Sequence, residues 1–89
     1  MGGRKKDLTG KYRLRYSILN VQTGLTIRRL RETRGLTQAD LARRANIGRI
    51  TLIRIEAGTQ DPTLSTLGRI AGALRVGVRD LLPGGGKRR

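Results

Sequence analysis

Two short runs of apolar residues at helical spacing lie on either side of a break in the middle of the chain, within residues 36–58. The apolar positions are Leu41, Ala42 and Ala45 before the break, and Leu52 and Ile55 after it. Residues that recur every three or four positions lie on one face of an α-helix. The pattern therefore predicts two short helices that pack against a common core.

The residues that flank and fill the break favour a tight turn. Thr37 with Asp40 three residues later is typical of a capping box, in which both side chains bond free amides at a helix start. Asn46 stands where the turn needs a left-handed backbone, which Asn adopts more readily than most residues. Ile47 can fill the angle between the helices, and Gly48 can cap the second helix, though more weakly than Ser or Thr. The stretch predicts a helix-turn-helix.

Further helices are predicted on both sides of this pair. Thr26 is a suitable cap for a first helix that ends before Gly35, the expected left-handed residue. A fourth helix follows Thr63, and a short fifth helix covers Val78 to Leu82. The first helix has Ile27 and Leu30 on its inner face, and the fourth helix has apolar residues at helical spacing: Leu64, Leu67, Ile70, Ala71 and Leu74. These predictions give an all-α domain of five helices over residues 25–82.

The two ends of the chain have a different pattern. Residues 1–24 form a predicted basic N-terminal arm, and residues 83–89 a flexible basic tail. Within the arm, residues 11–21 alternate apolar and polar side chains in steps of two, as a half-buried β-strand does. The alternating apolar residues are Tyr12, Leu14, Tyr16 and Ile18. Because a lone strand cannot satisfy its own backbone, two interpretations stay open: antiparallel pairing with the same segment of a second subunit, or an extended or helical lead-in packed on the domain.

The charge balance indicates the kind of partner. The 89 residues, enough for one small domain, include 20 basic and 6 acidic residues, a net charge of +14. Such an excess opposes folding through self-repulsion, so it points to a polyanionic partner. The alternative is a charge excess that only improves solubility. A membrane surface is not favoured, because the sequence has no long amphipathic stripe or apolar run.

Composition excludes several kinds of chemistry. There is no Cys and no His, so disulfides, thiolate chemistry, imidazole bases and the usual zinc sites are excluded, and we expect no metal and no cofactor. The few carboxylates are scattered and no nucleophile-base pair is visible, so we expect no enzyme activity. No apolar segment follows the basic start of the chain, which predicts an intracellular, cytoplasmic protein associated with the nucleoid.

Four sequence blocks make residues 27–82 similar to the DNA-binding domain of the lambda-type repressor and Cro family, also called the Xre family. The blocks are Arg31 with Gly35-Leu36-Thr37-Gln38 and Leu41-Ala42, then Ile55-Glu56 with Gly58, then Pro62-Thr63-Leu64 with Leu67, and finally Ile70-Ala71. One block would be weak evidence, but four in order at family spacing are specific. The resemblance implies a lambda-repressor-like five-helix fold and double-stranded DNA as the partner.

The second helix of a helix-turn-helix lies in the major groove of DNA. With this helix at residues 49–56, burial of its apolar face leaves four residues outside: Arg49, Ile50, Ile53 and Arg54. Arg is the commonest base reader because its fork bonds guanine O6 and N7 together. We therefore expect these residues to contact bases, and the resemblance places Arg49, Ile50 and Arg54 at base-reading positions. For the arginines, the alternative is a solvated helix face.

The first helix of the pair is expected to contact the DNA backbone. The resemblance implies that Gln38 bonds a phosphate with the help of the helix dipole. We expect the neighbouring cap, Thr37, to contact phosphate as well. Arg43 and Arg44, at the end of the same helix, are further candidates for phosphate contact. These contacts position the protein without reading the sequence.

The resemblance also implies two structural features. Arg31 and Glu56 correspond to a buried ion pair between the first and third helices, and its role would be structural. The end of the domain commonly forms the dimer interface in this family, and four apolar residues lie there: Val76, Val78, Leu81 and Leu82. We therefore expect a homodimer that binds a two-fold-symmetric operator.

Some residues of the candidate interface depart from the family pattern. The family usually has polar residues at Ile50 and Ile53, so these could contact thymine methyl groups or form a protein interface. Gly48 replaces the common Ser or Thr, and Thr59-Gln60 replaces a more basic pair. Phosphate contact at this edge should therefore be weaker than usual, with the basic arm as compensation.

These observations lead to one main hypothesis and two alternatives. The main hypothesis is a sequence-specific transcriptional regulator, most simply a repressor that acts by occluding a promoter. The first alternative is the antitoxin of a toxin-antitoxin pair that autoregulates its operon. The second is an adaptor that uses the same fold to bind a protein, such as part of the transcription machinery.

Overall fold

Helices form the regular secondary structure of the part of the chain that the structure describes. In the computed structural model, the backbone is described for residues 2–85 and the side chains for residues 18–85. The elements in order are α1 (Gly2–Thr33), α2 (Gln38–Ala45), α3 (Arg49–Ala57), α4 (Leu64–Leu74) and a 3-10 helix (Val78–Leu81). The all-α prediction is confirmed, but the count of five helices is not, because four α-helices are followed by a single 3-10 turn where the short fifth helix is predicted. Between residues 2 and 85, no helix is apolar enough over a sufficient length to cross a bilayer.

Capping residues set the ends of α2, α3 and α4. At the start of α2 the Thr37 hydroxyl accepts from the Asp40 amide at 2.9 Å, and the Asp40 carboxylate accepts from the Thr37 amide at 2.9 Å. Asn46 ends α2 in the left-handed region (φ 56°), and Gly58 ends α3 in the same way (φ 78°). Thr63 caps α4 through its hydroxyl. These ends lie where the sequence predicts them, because caps are local signals.

The core lies where all five elements meet. Its fully buried side chains are Ile27 from α1, Leu41 from α2, Leu52 and Ile55 from α3, Ile70 and Leu74 from α4, and Leu81 from the 3-10 helix. Burial of one such side chain contributes about 1.5–3 kcal/mol. The pair α2 and α3 is therefore fixed on both sides, by α1 and by α4, and its exposed face has a defined orientation.

The predicted strand at residues 11–21 is wrong. The segment belongs to α1, which is one helix of 32 residues, so the helical lead-in is what the structure has. A helix pairs its own backbone groups and needs no second strand. Arg, Lys and Leu, which are frequent in this segment, also favour the helix. The side chains of Tyr12, Leu14 and Tyr16, which the prediction assigned to one face, lie outside the described side chains.

Gly24 lies inside α1 and not at a break between an arm and the domain. A Cβ atom on Gly24 would collide with the carbonyl oxygen of Ile55 and lie 2.7 Å from that of Glu56. The glycine therefore lets α1 approach the C-terminal end of α3 closely. Thr26, predicted to cap the first helix, is also internal, and its hydroxyl donates to the Gln22 carbonyl at 3.1 Å. As a result α1 passes through the predicted boundary at residues 24–25 without interruption.

The four residues of the predicted dimer interface differ in exposure. Leu81 is fully buried in the core of its own protomer and has no exposed surface, and its place in the dimer interface stays a prediction. Val76 and Val78 are half-buried and pack against the core, whereas Leu82 is 39% exposed. Met1 and residues 86–89, the last part of the predicted tail, lie outside the described residues.

Candidate nucleic-acid interface

A three-residue turn joins α2 to α3 and fixes the angle between them. The Ile47 amide donates to the Ala42 carbonyl at 3.0 Å, and the Asn46 amide donates to the same carbonyl at the end of α2. The Ile47 side chain is half-buried against the core. Arg69 of α4 reaches the Asn46 carbonyl at 3.4 Å. The turn is thus held from the core and from α4, and α3 projects from it in one direction.

The two faces of α3 are clearly separated. Its inner face buries Leu52, Ile55 and Glu56, which are at most 6% exposed. The four predicted base-reading residues occupy positions i, i+1, i+4 and i+5 of the helix and therefore one side of it. Arg49, Ile50 and Arg54 are exposed, and Ile53 is half-buried at the edge of this face. Ile50 is 61% exposed, although its side chain is apolar.

At the start of α2, the capping box brings a carboxylate next to the predicted phosphate contacts. The hydrogen bond from the Thr37 amide, the bond with the Thr37 side chain and the neighbouring Arg43 together hold the pKa of Asp40 below its ordinary value. Arg43 donates to Asp40 at 3.1 Å, and its side chain remains 70% exposed. Such a surface pair is weak. The pair therefore holds Arg43 only weakly, and Arg44 beside it is exposed as well.

A buried network connects α1, α2 and α3 beneath this surface. Arg31 donates to both carboxylate oxygens of Glu56, at 2.7 and 3.1 Å, and to the Leu36 carbonyl at 2.8 Å. The hydrogen bond to Glu56 raises the pKa of the Arg31 guanidinium, and burial opposes this shift. Gln38 joins the network, because its amide nitrogen donates to Glu56 at 3.0 Å.

The Gln38 bond to Glu56 is a contact at the candidate interface that the sequence does not predict. The sequence places Gln38 at the helix start and predicts a phosphate contact, which stays a prediction. Eighteen residues separate the two partners, and no local pattern indicates that they meet. The contact links α3 directly to the start of α2, where the phosphate contact is predicted.

The fold and this exposed face define a DNA-binding helix-turn-helix protein. Residues 27–81, more than half of the chain, match the helix-turn-helix family HTH_3. The chain belongs to this family, and with it to the lambda-repressor-like, Xre-type transcription regulators.

Similar proteins agree with this assignment. The immunity repressor protein of Bacillus phage phi105 is 46% identical over 55 residues, which are 62% of this chain and 38% of that protein. The chain therefore spans little more than a third of the length of that relative. The restriction-modification controller protein C.AhdI from Aeromonas hydrophila has a similar structure (TM-score 0.69, 31% identity, 70% of this chain and 94% of that chain). An HTH_3 family transcriptional regulator from Vibrio cholerae is also similar (TM-score 0.71, 27% identity, 74% of this chain and 37% of that chain).

Proposed function

We propose that this protein represses transcription by binding double-stranded DNA at a specific sequence and occluding a promoter. The observation that carries the proposal is the outward face of α3. This face presents two exposed arginines and an isoleucine that is 61% exposed, none of which the core needs. An α-helix with such a face fits the major groove, where base edges are accessible.

The chemistry of the face suggests which bases it reads. Arg49 and Arg54 can each donate two hydrogen bonds to guanine, a contact worth about 1–3 kcal/mol of discrimination. Ile50 has no hydrogen-bonding group, but it can contact the C5-methyl group of thymine. The half-buried Ile53 can contribute to the same apolar contact at the edge. We therefore expect a half-site that contains guanine and thymine at neighbouring positions.

Phosphate contacts would orient this face on the duplex. Thr37 and Gln38 lie at the start of α2, where the helix dipole favours an anion, and Arg43 and Arg44 lie at its end. The Gln38 bond to Glu56 holds its side chain in one orientation, so a phosphate contact would require little further ordering. A net charge of +14 adds long-range attraction to the polyanion.

The relatives support repression and regulation as the outcome of binding. One is an immunity repressor, and another is a restriction-modification controller. For this chain we propose a homodimer on a two-fold-symmetric operator, with half-sites about one helical turn apart. Leu82, with Val76 and Val78 behind it, would form the contact at the C-terminal end of the domain.

A second candidate function rests on Ile50. An apolar residue this exposed on a reading face would also suit a protein surface, as in an antitoxin or an adaptor. In that case α3 would be covered by the protein partner, and its arginines would not affect the choice of DNA sequence.

The salt dependence of binding tests whether the α2 and α3 face is the DNA-binding face. Binding to a duplex of random sequence would be measured by fluorescence anisotropy at several salt concentrations, because log K falls by roughly 0.9 per phosphate contact for each unit of log salt. The double variant Arg43→Ala/Arg44→Ala should reduce this slope by about 1.8. The control Arg28→Ala/Arg79→Ala removes the same charge elsewhere and should leave the slope unchanged. Equal losses in both variants would mean that only overall charge attracts DNA.

A further inference from the structure

An open cavity of about 310 Å³ lies between α1, the segment that joins α3 to α4, and the C-terminal end of the domain. None of the residues proposed to contact DNA lines it. The lining residues come from four parts of the chain: Leu19, Asn20 and Thr23 of α1, Asp61 and Pro62 of the joining segment, Leu67 of α4, and Leu82 and Pro83 after the 3-10 helix. We call this space the Thr23 cavity.

The Thr23 hydroxyl distinguishes this cavity from a simple surface depression. A threonine inside a helix can donate its hydroxyl proton to the carbonyl four residues earlier, and Thr26 and Thr33 of α1 do so, at 3.1 and 2.8 Å. Thr23 is only 5% exposed, yet its hydroxyl forms no hydrogen bond with any of the described residues. A polar group at this depth normally has a partner, because burial without one is costly.

The direction of the Thr23 hydroxyl follows from its surroundings. Among the described residues, no side-chain nitrogen or oxygen atom is both fully enclosed and without a hydrogen-bond partner. Since the Thr23 oxygen has no such partner, it is not fully enclosed, and the cavity is the open space that Thr23 lines. The hydroxyl is therefore accessible to a molecule in the cavity.

The other lining residues indicate what kind of molecule fits. Most of them are apolar, and the only ionisable one is Asp61, so the lining has no cation for an anionic ligand. A hydroxyl can donate and accept, whereas a carboxylate only accepts, so a ligand with an O–H or N–H group suits both Thr23 and Asp61. Since a water molecule occupies about 30 Å³ of the liquid, a ligand of about ten non-hydrogen atoms matches the volume of the cavity.

We propose that the Thr23 cavity binds a small neutral molecule with an apolar body and one hydroxyl or N–H group. The Thr23 hydroxyl would bond the polar group, and the leucine and proline side chains would contact the body. Mostly apolar walls with a few polar groups that fix orientation are typical of small-molecule sites. This site goes beyond the proposed function and does not depend on DNA binding.

The position of the cavity gives binding a structural consequence. Gly24, which follows Thr23, lies against the carbonyl groups of Ile55 and Glu56 at the end of α3. A molecule in the cavity would contact α1 and the segment after α3 together, and would hold α1 against α3. Because such a ligand binds the folded state, it should stabilise the domain.

Methyl NMR spectra of the full chain, titrated with β-naphthol, test the proposal. This probe has an apolar two-ring body and one hydroxyl group. The methyl signals of Leu19, Leu67 and Leu82 should shift together, with one dissociation constant of about 0.1–1 mM, as expected for a small ligand in an open site. The signals of Ile50 and Leu64, which are 61% and 74% exposed outside the cavity, should not shift. Equal shifts at all five residues, or none at about 5 mM β-naphthol, would overturn the proposal.

A charged analogue tests the class of ligand. β-Naphthoate has the same two-ring body with a carboxylate in place of the hydroxyl, and it would meet Asp61 without a cation beside it. It should therefore bind the cavity at least about tenfold more weakly than β-naphthol. Equal or tighter binding of β-naphthoate, judged by the signals of Leu67 and Leu82, would contradict the neutral class of ligand.

Substitution of single threonines tests the role of the hydroxyl. Thr23→Val removes the hydroxyl, nearly keeps the volume, and should weaken β-naphthol binding about three- to tenfold, as expected for one hydrogen bond. Thr33→Val is the matched control, because Thr33 is on the same helix, does not line the cavity, and already donates to the Arg29 carbonyl. Thr23→Ser, which keeps a hydroxyl, should retain most of the affinity. Wild-type affinity in Thr23→Val would overturn the site.

Thermal unfolding separates a binding role of Thr23 from a structural one. Because its hydroxyl has no partner among the described residues, Thr23→Val without ligand should have a Tm at least equal to that of the wild type. A lower Tm would mean that the hydroxyl stabilises the fold, and would count against the site. β-Naphthol should raise the Tm of the wild type by a few degrees, and that of Thr23→Val by less.

None of these measurements involves DNA, so this proposal and the proposed function fail separately. A protein that binds β-naphthol in the Thr23 cavity but no duplex DNA would contradict the proposed function and leave the site supported. A protein that binds duplex DNA but shows no shift of Leu67 and Leu82 with β-naphthol would overturn the site and leave the proposed function supported.

Discussion

Removal of Arg31 should destabilise the protein strongly, because its guanidinium holds three helices together. Arg31 donates two hydrogen bonds to Glu56 and one to the Leu36 carbonyl, and Glu56 accepts a further one from Gln38. The side chains of Arg31 and Glu56 are only 10% and 3% exposed. In Arg31→Ala the carboxylate would stay buried without its counter-ion, and the Leu36 carbonyl would lose a partner.

The magnitude follows from this burial. Loss of one partner of a buried ion pair typically costs about 3–5 kcal/mol, and solvent screening hardly reduces this value at so little exposure. The total free energy of unfolding of a small domain is about 5–15 kcal/mol, so the variant should lose a large part of it. For a domain of this size, each kcal/mol lowers the melting temperature by roughly 4–8 °C. We therefore expect Tm to fall by roughly 12 °C or more.

Urea and thermal unfolding followed by circular dichroism would measure the effect. Arg28→Ala is the matched control, because Arg28 is on the same helix and also pairs with a glutamate, Glu32, but both side chains are more than half exposed (58% and 56%). Such a surface pair contributes at most about 0.5 kcal/mol. A loss below about 1 kcal/mol for Arg31→Ala, similar to that of the control, would refute the reasoning that the buried network stabilises the domain.

Three further predictions concern backbone and capping positions. Gly24→Ala should destabilise the protein by about 1–3 kcal/mol in urea unfolding, because the new Cβ collides with the Ile55 carbonyl and forces α1 away from α3; unchanged stability would contradict the close approach. Gly48→Ser should stabilise the protein by a few tenths of a kcal/mol, roughly, because Gly48 has ordinary extended dihedrals and provides no side-chain cap; a lower Tm would contradict this. The pKa of Asp40 is lowered, first of all by the hydrogen bond from the Thr37 amide, so the ionised carboxylate stabilises the fold at pH values above the ordinary carboxyl pKa. This stability is lost as the pH falls through the lowered pKa. Asp40→Asn should therefore show a flatter loss of stability in acid than the wild type, and identical acid profiles would refute this.

Local sequence signals predict the middle of the fold well. Thr37, Asn46, Gly58 and Thr63 each determine a helix end through a hydrogen bond or a left-handed backbone within a few residues of the chain, and the structure has α2, α3 and α4 where these residues place them. The helical spacing of the apolar residues in α3 predicts which of its residues lie on the outer face. Because Leu52 is buried, the residues on the opposite side of the helix are exposed.

The features that the sequence did not predict depend on contacts between distant segments. Gly24 looks like a helix break in isolation, and only the backbone of α3 beside it explains a glycine inside α1. The alternation in residues 11–21 fits a strand locally, but no partner strand exists among the described residues, and a helix satisfies the backbone by itself. The left-handed Arg75 that ends α4 (φ 61°) also lacks the usual Gly or Asn signal.

Selection of bound duplexes from a random pool, carried out with the wild type and with Arg49→Ala, tests the central claim most directly. The wild type should enrich a two-fold-symmetric sequence with half-sites about one helical turn apart. Arg49→Ala should lose the preference at one base pair in each half-site and keep the rest. No enriched sequence, or the same sequence enriched equally by both proteins, would contradict base reading by α3.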